Sequence, residues 1–323
     1  MVLVDANRAV QRAAAIRDDE IALRSGSQRR RRIMVLAISA ALLLCARDGH
    51  AGVATVVGSL PSPLPAPRFD LAFDSTTGTL WGIENATASA NVMNFTLDGS
   101  FVSGFLTASS FNNMGIAVNQ VAGESKRIFY WQNLASLIRE VDANGAPVGS
   151  TSLPFGYHIL IVAIGFDPAE GRIVAPHGGL GSVDPTIEAG FSHIAPGVGV
   201  ESTEPFDFSS QLGTTLFLGF ELSRESYWVL GPVGSADEIV QIDRASLTVV
   251  DHFVLPESSG QTYRGLARDP STGIFYSNFN DAEIRALTLP EPGAPAGGVA
   301  LATLLLWRAV APLARLQRPA REA

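Results

Sequence analysis

The stretch DSTTGTLW at residues 74–81 returns as DPAEGRIV at 167–174 and again as DPSTGIFY at 269–276. Each copy follows a short apolar run and leads into β-branched or aromatic residues. An Asp at the start of such a stretch can cap backbone N–H groups, and the Gly four residues later permits the backbone of a tight turn. The pattern therefore predicts a β-hairpin at each of the three copies.

Two weaker copies fill the gaps between these hairpins. One leads from GIAVN at 115–119 to RIFYW at 127–131, and the other leads from LGFE at 218–221 to YWVL at 227–230. The repeat positions are then Asp74, Asn119, Asp167, Glu221 and Asp269. Their spacing is close to fifty residues, and a period of that length is typical of propellers and other repeat folds.

Each full repeat also contains a third and a fourth apolar stretch. The third strands and their turns are predicted at 94–99, 138–145 and 239–243, and the fourth strands at 101–106, 147–153 and 248–255. Four antiparallel strands per unit form a propeller blade. The fifth unit has no fourth strand, but residues 53–61 resemble the outer strand at 247–256. We therefore expect the start of the domain to close the last blade, which removes an exposed sheet edge.

Residues 52–289 are accordingly predicted to form one all-β domain, a five-bladed β-propeller. Six blades stay open as an alternative, if the irregular stretch at 177–216 hides another unit. The recurring Asp residues are expected to cap turns. The tryptophans on second strands are expected to pack between blades, with a carbohydrate platform as the alternative; they are Trp81, Trp131 and Trp228.

The N-terminal region has the pattern of an export signal. Four arginines at 29–32 precede an uncharged apolar run at 33–44, and Gly49, His50 and Ala51 form a small-x-small cleavage site. Cleavage is expected between Ala51 and Gly52, so residues 1–51 are assigned to an N-terminal extension and signal peptide. The single cysteine, Cys45, lies in this segment, so disulfide and thiol chemistry are excluded from the mature domain.

The C-terminal segment, residues 290–323, has three recognisable parts. Pro290, Glu291 and Pro292 are followed by a run at 293–306 that contains only Gly, Ala, Pro, Val, Leu and Thr. Four arginines are scattered through the end of the chain, at Arg308, Arg315, Arg318 and Arg321. Together the motif, the apolar stretch and the basic end resemble a PEP-CTERM sorting signal, and the resemblance implies that the apolar stretch forms a membrane-spanning helix.

That resemblance implies a route through the cell envelope of a Gram-negative bacterium. Proteins with this signal are recognised in the inner membrane by an exosortase, a transpeptidase-like enzyme, and they often accompany exopolysaccharide production. The expected partners are therefore an exosortase, the inner membrane as a transient intermediate, and an exopolysaccharide or another envelope component. The expected destination is the outer surface or the extracellular space.

The net charge of the predicted domain limits the classes of partner that it can bind. Between residues 52 and 289 there are 24 Asp and Glu against 10 Lys and Arg, a balance of −14. A nucleic-acid surface needs a basic patch, so nucleic acid is not expected as a partner. Strong negative charge keeps an exported protein soluble, and it can also attract divalent cations.

Catalytic motifs are missing from the sequence. There is no nucleophile elbow, zincin helix motif or phosphate-binding loop. The irregular third repeat carries the one group of residues from which a metal or acid–base site could be built: His158, His177, His193, Asp184 and Glu188. Their spacing fits no known ligand pattern, so no cofactor is expected, although calcium stays open.

Two functions from different classes therefore stay open. The first is a non-enzymatic exported propeller that binds an envelope or exopolysaccharide component. The second is a calcium-assisted propeller hydrolase of the lactonase or phosphoesterase kind, in which carboxylates at the channel mouth activate water. The absence of catalytic motifs favours binding over catalysis.

Overall fold

A computed structural model describes residues 52–61, 68–84, 90–107, 113–121, 123–132, 135–154, 163–178, 188–258, 260, 262–280 and 283–290. The predicted signal peptide at 1–51 and the predicted tail from Glu291 onward lie outside these residues. Within the described part of the chain, no helix is long and apolar enough to cross a membrane.

The described residues form 21 strands and one short helix, α1 (Phe208–Leu212). The strands are β1 (Gly52–Val53), β2 (Thr55–Pro61), β3 (Arg68–Asp74), β4 (Thr79–Glu84), β5 (Ala90–Phe95), β6 (Phe101–Thr107), β7 (Asn113–Val118), β8 (Arg127–Gln132), β9 (Leu137–Asp142), β10 (Pro147–Ser152), β11 (Gly165–Asp167), β12 (Arg172–His177), β13 (Gly190–Ala195), β14 (Gly199–Pro205), β15 (Gly219–Leu222), β16 (Ser226–Val233), β17 (Ala236–Asp243), β18 (Thr248–Val254), β19 (Tyr263–Arg268), β20 (Phe275–Phe279) and β21 (Glu283–Thr288).

These strands build five sheets, antiparallel except for the short β1, and the sheets are the five blades of a propeller. Blades 1 to 4 are β3–β6, β7–β10, β11–β14 and β15–β18, and blade 5 is β19–β21 with β2 on its outside. The prediction of a five-bladed all-β ring is confirmed. The six-bladed alternative is wrong, because the stretch at 177–216 holds the two outer strands of blade 3 and α1.

The first strands of the domain join two blades. β2 pairs antiparallel with β21, so that Leu60 lies opposite Ile284, and the predicted closure of the last blade is confirmed. β1 belongs instead to blade 4, where Gly52 and Val53 pair in parallel with the end of β18. The buried Ala54 lies between the two strands and donates its N–H to the carbonyl of Val254 at 3.0 Å.

The Asp residues of the repeat cap their turns as predicted. Asp74 Oδ1 accepts the backbone N–H of Thr76 at 3.0 Å, and the equivalent atoms of Asp167 and Asp269 accept the N–H two residues further on at 2.9 and 2.8 Å. The three tryptophans are also where the sequence predicts them. Trp81, Trp131 and Trp228 are at most 9% exposed and belong to separate apolar clusters between blades.

The innermost strands come together at the axis of the ring with little space between their backbones. A Cβ atom on Gly219 would lie 2.7 Å from the carbonyl carbon of Gly265, and a Cβ on Gly265 would lie 2.8 Å from Asp70 Cα. Gly265 also has φ +66°, which disfavours other residues. The Asp70 side chain is fully enclosed, and it accepts the N–H of Leu71 at 3.0 Å and that of Ile116, in blade 2, at 3.1 Å.

The closure by β2 can be tested with two variants of that strand. Leu60 is 5% exposed and packs between blades 5 and 1, whereas Val57 on the same strand is 53% exposed. Leu60→Ala should lower the free energy of unfolding by about 2–4 kcal/mol, because it leaves a cavity where the ring closes. Val57→Ala should change it by less than about 0.5 kcal/mol. Urea denaturation measures both, and equal effects would contradict the role of β2 in closure.

Candidate ligand site at the axis

A pocket of about 490 Å³ opens where the innermost strands of the ring end. Four blades contribute to its lining: Gln120 follows β7, Phe166 and Asp167 lie in β11, Glu221 and Leu222 lie in β15, and Arg268 ends β19. The amide of Gln120 donates to the carbonyl of Phe73 at 2.8 Å, which connects blade 1 to this rim as well. Volumes of 300 to 1,000 Å³ are typical of small-molecule sites, so the pocket is large enough for a small ligand.

Glu221 supplies a carboxyl group to this pocket. Its carboxylate accepts the N–H of Leu222 at 2.9 Å and, across the gap to blade 5, the N–H of Arg268 at 3.1 Å. Burial raises the pKa of Glu221 to about 7, although the two N–H groups and the Arg268 charge act in the opposite direction. A carboxyl group with such a pKa holds its proton for part of the time at neutral pH and can donate or accept a hydrogen bond.

Arg268 places a guanidinium group in the same pocket. Its Cζ lies 5.7 Å from the centre of the Phe275 ring, a cation–π contact. The guanidinium makes no hydrogen bond and no ion pair with any residue that the structure describes, and its enclosed Nε has no acceptor. The pocket therefore contains an unpaired cation beside a carboxyl group of raised pKa.

A charged network lies next to the pocket, in a second hollow of about 370 Å³ between blades 3 and 4. Arg244 donates to Asp167 at 2.7 Å and covers the ring of Tyr227 at 5.0 Å. The Tyr227 hydroxyl donates to Glu204 at 2.8 Å, and His193 Nε2 lies 3.3 Å from the other oxygen of that carboxylate. The hydrogen bond with Glu204 raises the pKa of His193. Each charged group named here has a partner of opposite charge within the network.

The structure separates the histidines that the sequence grouped together. His177 and His193 lie on the neighbouring strands β12 and β13, but they project from opposite faces of blade 3, because His193 pairs with Val174 and His177 pairs with Gly190. His177 is buried towards blade 2 and contacts Ser192 Oγ at 2.8 Å, and burial lowers its pKa to about 4. Glu188 is exposed just before β13.

The remaining two candidates of that group, His158 and Asp184, lie outside the described residues. Within the described residues, no group of three or more His, Cys, Asp or Glu side chains is arranged to hold a metal ion. The metal site stays a prediction that rests on the sequence.

The repeat pattern predicts that Glu221 begins a turn, as Asp74 does, and this prediction is wrong by two residues. Glu221 lies inside β15 opposite Trp228, and the chain turns at Ser223, whose N–H donates to the carbonyl of Ser226. The repeat was aligned incorrectly here because blade 4 has no Asp at its first turn. The useful signal was a single acidic residue inside the apolar strand GFEL. Arg268, at the end of another inner strand, is not among the site residues that the sequence predicts.

No protein-family model matches the chain, and no curated protein matches it significantly. Solved structures do resemble it. The glutaminyl cyclase of Myxococcus xanthus matches 74% of this chain and 97% of its own, with TM-score 0.52 and 14% identity. A tail fibre of Staphylococcus aureus phage P68 covers 73% of this chain and 52% of its own, with TM-score 0.47 and 9% identity.

The propeller domain of Cps50 (Swd1) from Myceliophteria thermophila covers 75% of this chain and 70% of its own, with TM-score 0.42 and 11% identity. At these identities the first match supports the fold alone, and the other two carry no weight because their TM-scores are below 0.5. The chain is a five-bladed propeller with distant structural relatives.

The raised pKa of Glu221 predicts a specific dependence of stability on pH. The folded pKa of about 7 exceeds the ordinary 4.5, so the folded state binds the proton more tightly than the unfolded state. The stabilisation is complete below about pH 4.5 and is lost as the pH rises through 7. The free energy of unfolding of the wild type, minus that of Glu221→Gln, should fall by roughly 2–3 kcal/mol over this range.

Urea titrations between pH 4 and 8 measure this difference. Glu225→Gln, at an exposed position on the following turn, controls for the loss of one carboxylate. A wild-type-minus-Glu221→Gln difference that does not change with pH would contradict the enclosed position of the Glu221 side chain.

Proposed function

We propose that this chain is an exported, non-enzymatic propeller protein that binds an envelope or exopolysaccharide component in the axial pocket. The observation that carries the proposal is the pocket itself. It combines a volume suited to a small ligand, walls from four blades, and a guanidinium group that has no hydrogen-bond or ion-pair partner among the described residues. Ligand sites commonly combine such an apolar recess with a few polar groups that fix orientation.

The carboxylates near the pocket support binding over calcium-assisted hydrolysis. Asp167 is paired with Arg244 at 2.7 Å, Asp74 is paired with Lys126 at 2.6 Å, and the Glu221 carboxylate accepts two backbone N–H groups. A calcium site needs six to eight oxygen ligands, several of them from carboxylates that are free to turn towards the ion. The hydrolase alternative would require these interactions to be broken.

Sorting through the C-terminal signal completes the proposal. Pro290 is the last described residue, and it lies against Gly52, where a Cβ atom would be 2.8 Å from Pro290 Cγ. Pro290, the first residue of the proposed motif, thus packs against the first strand of the ring.

Binding can be tested by blocking the pocket. Ala169→Trp places an indole at the exposed rim of the pocket, and Val148→Trp adds one at an exposed position of β10 as the matched control. The purified protein is applied to immobilised secreted polysaccharide and envelope fractions of the producing bacterium. Wild type and Val148→Trp should be retained with similar affinity, and Ala169→Trp should bind at least about tenfold more weakly.

If Ala169→Trp is retained as strongly as the wild type, the ligand binds outside the pocket. Failure of the wild type to bind any fraction would overturn the proposed function.

Sorting is tested separately in cells. Replacing Pro290, Glu291 and Pro292 by alanine should leave the protein in the inner membrane, because the processing enzyme would no longer recognise its motif. Cell fractionation and immunoblotting measure the distribution, and a double change of Gly297 and Gly298 to alanine, outside the motif, serves as the control. An unchanged distribution of the triple variant would refute the sorting proposal.

A further inference from the structure

Among the described residues Arg268 forms no ion pair with an acidic side chain, in contrast to four other basic residues of the ring. Lys126 is paired with Asp74, Arg127 with Glu140, Arg244 with Asp167 and Arg285 with Glu283. In a domain with 24 acidic and 10 basic residues, an acidic neighbour is easily found, so an unpaired guanidinium at the base of a pocket needs an explanation. Its aromatic contact with Phe275 holds the group in place but satisfies none of its five N–H donors.

One of these N–H donors, the Nε of Arg268, is enclosed and has no acceptor among the described residues. A buried N–H without an acceptor costs free energy, and native proteins rarely leave one unpaired unless water or a ligand supplies the acceptor. A ligand in the pocket does not reach the enclosed Nε, so a carboxylate would bind the guanidinium end-on, through its two terminal nitrogens.

Glu221 is held close by but does not supply that acceptor. Its carboxylate accepts the backbone N–H of Arg268, yet within the described residues no ion pair joins the two side chains. The backbone of Leu222 fixes the carboxyl group from the other side. The pocket thus contains a carboxyl group that is fixed in position and a guanidinium that is left open to a ligand.

We propose that the axial pocket recognises the carboxylate of an acidic sugar, a uronic acid, which binds to the guanidinium of Arg268, while Glu221 forms a hydrogen bond with a neighbouring oxygen of the same sugar. This inference rests on the proposed function and specifies the class of ligand. It adds a charge preference that the pocket volume alone does not give.

Charge favours a carboxylate over a phosphate dianion. One guanidinium neutralises one negative charge, and Arg224 at the rim is the only other basic residue among the described residues that line the pocket. A second negative charge would lie near Glu221 and inside a domain of net charge −14, where repulsion opposes it. Below the pKa of Glu221 its carboxylic acid can also donate a hydrogen bond to the ligand.

The matched probes for this inference are a trigalacturonate and the neutral trisaccharide obtained by reducing its carboxyl groups. Titration calorimetry with the purified protein should give at least about tenfold tighter binding of the acidic sugar, which corresponds to ~1.4 kcal/mol. Arg268→Gln should abolish the preference. Arg268→Lys should keep part of it, because an ammonium group retains the charge but loses the bidentate geometry.

Arg172→Gln is the control for loss of one positive charge. Arg172 is paired with Glu201 at 2.7 Å on the surface of blade 3, and its replacement should leave the preference for the acidic sugar unchanged. Thermal melts of all three variants establish that the fold is retained. If Arg268→Gln does not fold, the comparison of wild type with Arg268→Lys still tests the inference.

The outcomes separate the inference from the proposed function. Equal binding of the acidic and neutral sugars, or a preference that survives in Arg268→Gln, would overturn the carboxylate inference and leave a glycan-binding propeller. Failure to bind either sugar, together with retention on secreted polysaccharide that Ala169→Trp abolishes, would also overturn the inference alone. Failure in both experiments would overturn the inference and the proposed function together.

Discussion

The packing of the ring depends on how closely the backbones of its five innermost strands approach one another at the axis. The carboxyl group of Asp70 lies at this point and accepts N–H groups from its own strand and from blade 2, and the N–H groups of Ile164 and Leu266 in blades 3 and 5 also act on it. Burial nevertheless raises the pKa of Asp70 well above its usual range. Without this acceptor, several backbone donors would be buried unpaired, and each would cost about 1–3 kcal/mol. The glycines beside it allow the backbones to approach closely enough for these contacts.

The number of blades could be predicted from the sequence because its signal is local. Asp74, Asp167 and Asp269 each cap the turn in which they stand, so their pattern survives without knowledge of any distant contact. The closing strand could also be predicted, because the fifth unit lacked an outer strand and a similar stretch stood at the start of the domain. Both features follow from pairing rules that apply to any antiparallel blade.

The axial site could not be predicted in the same way. Asp70 and Glu221 lie in short apolar strands, and their environment is set by residues of other blades that are distant in sequence. His177 and His193 show a second reason why side chains that share a site are difficult to predict from the sequence. They lie on neighbouring strands, but a strand's register decides which face each side chain occupies, and the long sequence between β12 and β13 has no turn motif from which to predict that register.

The contact between Gly52 and Pro290 gives the ring an almost cyclic chain path. The chain enters and leaves the ring at one place, because β2 lies beside β21, the last strand of the domain. A domain of this kind can be inserted into a surface loop of another protein without forcing the loop apart, and its ends can be joined and reopened between two other blades. In evolutionary terms, such a ring can be exchanged between larger proteins as a self-contained module.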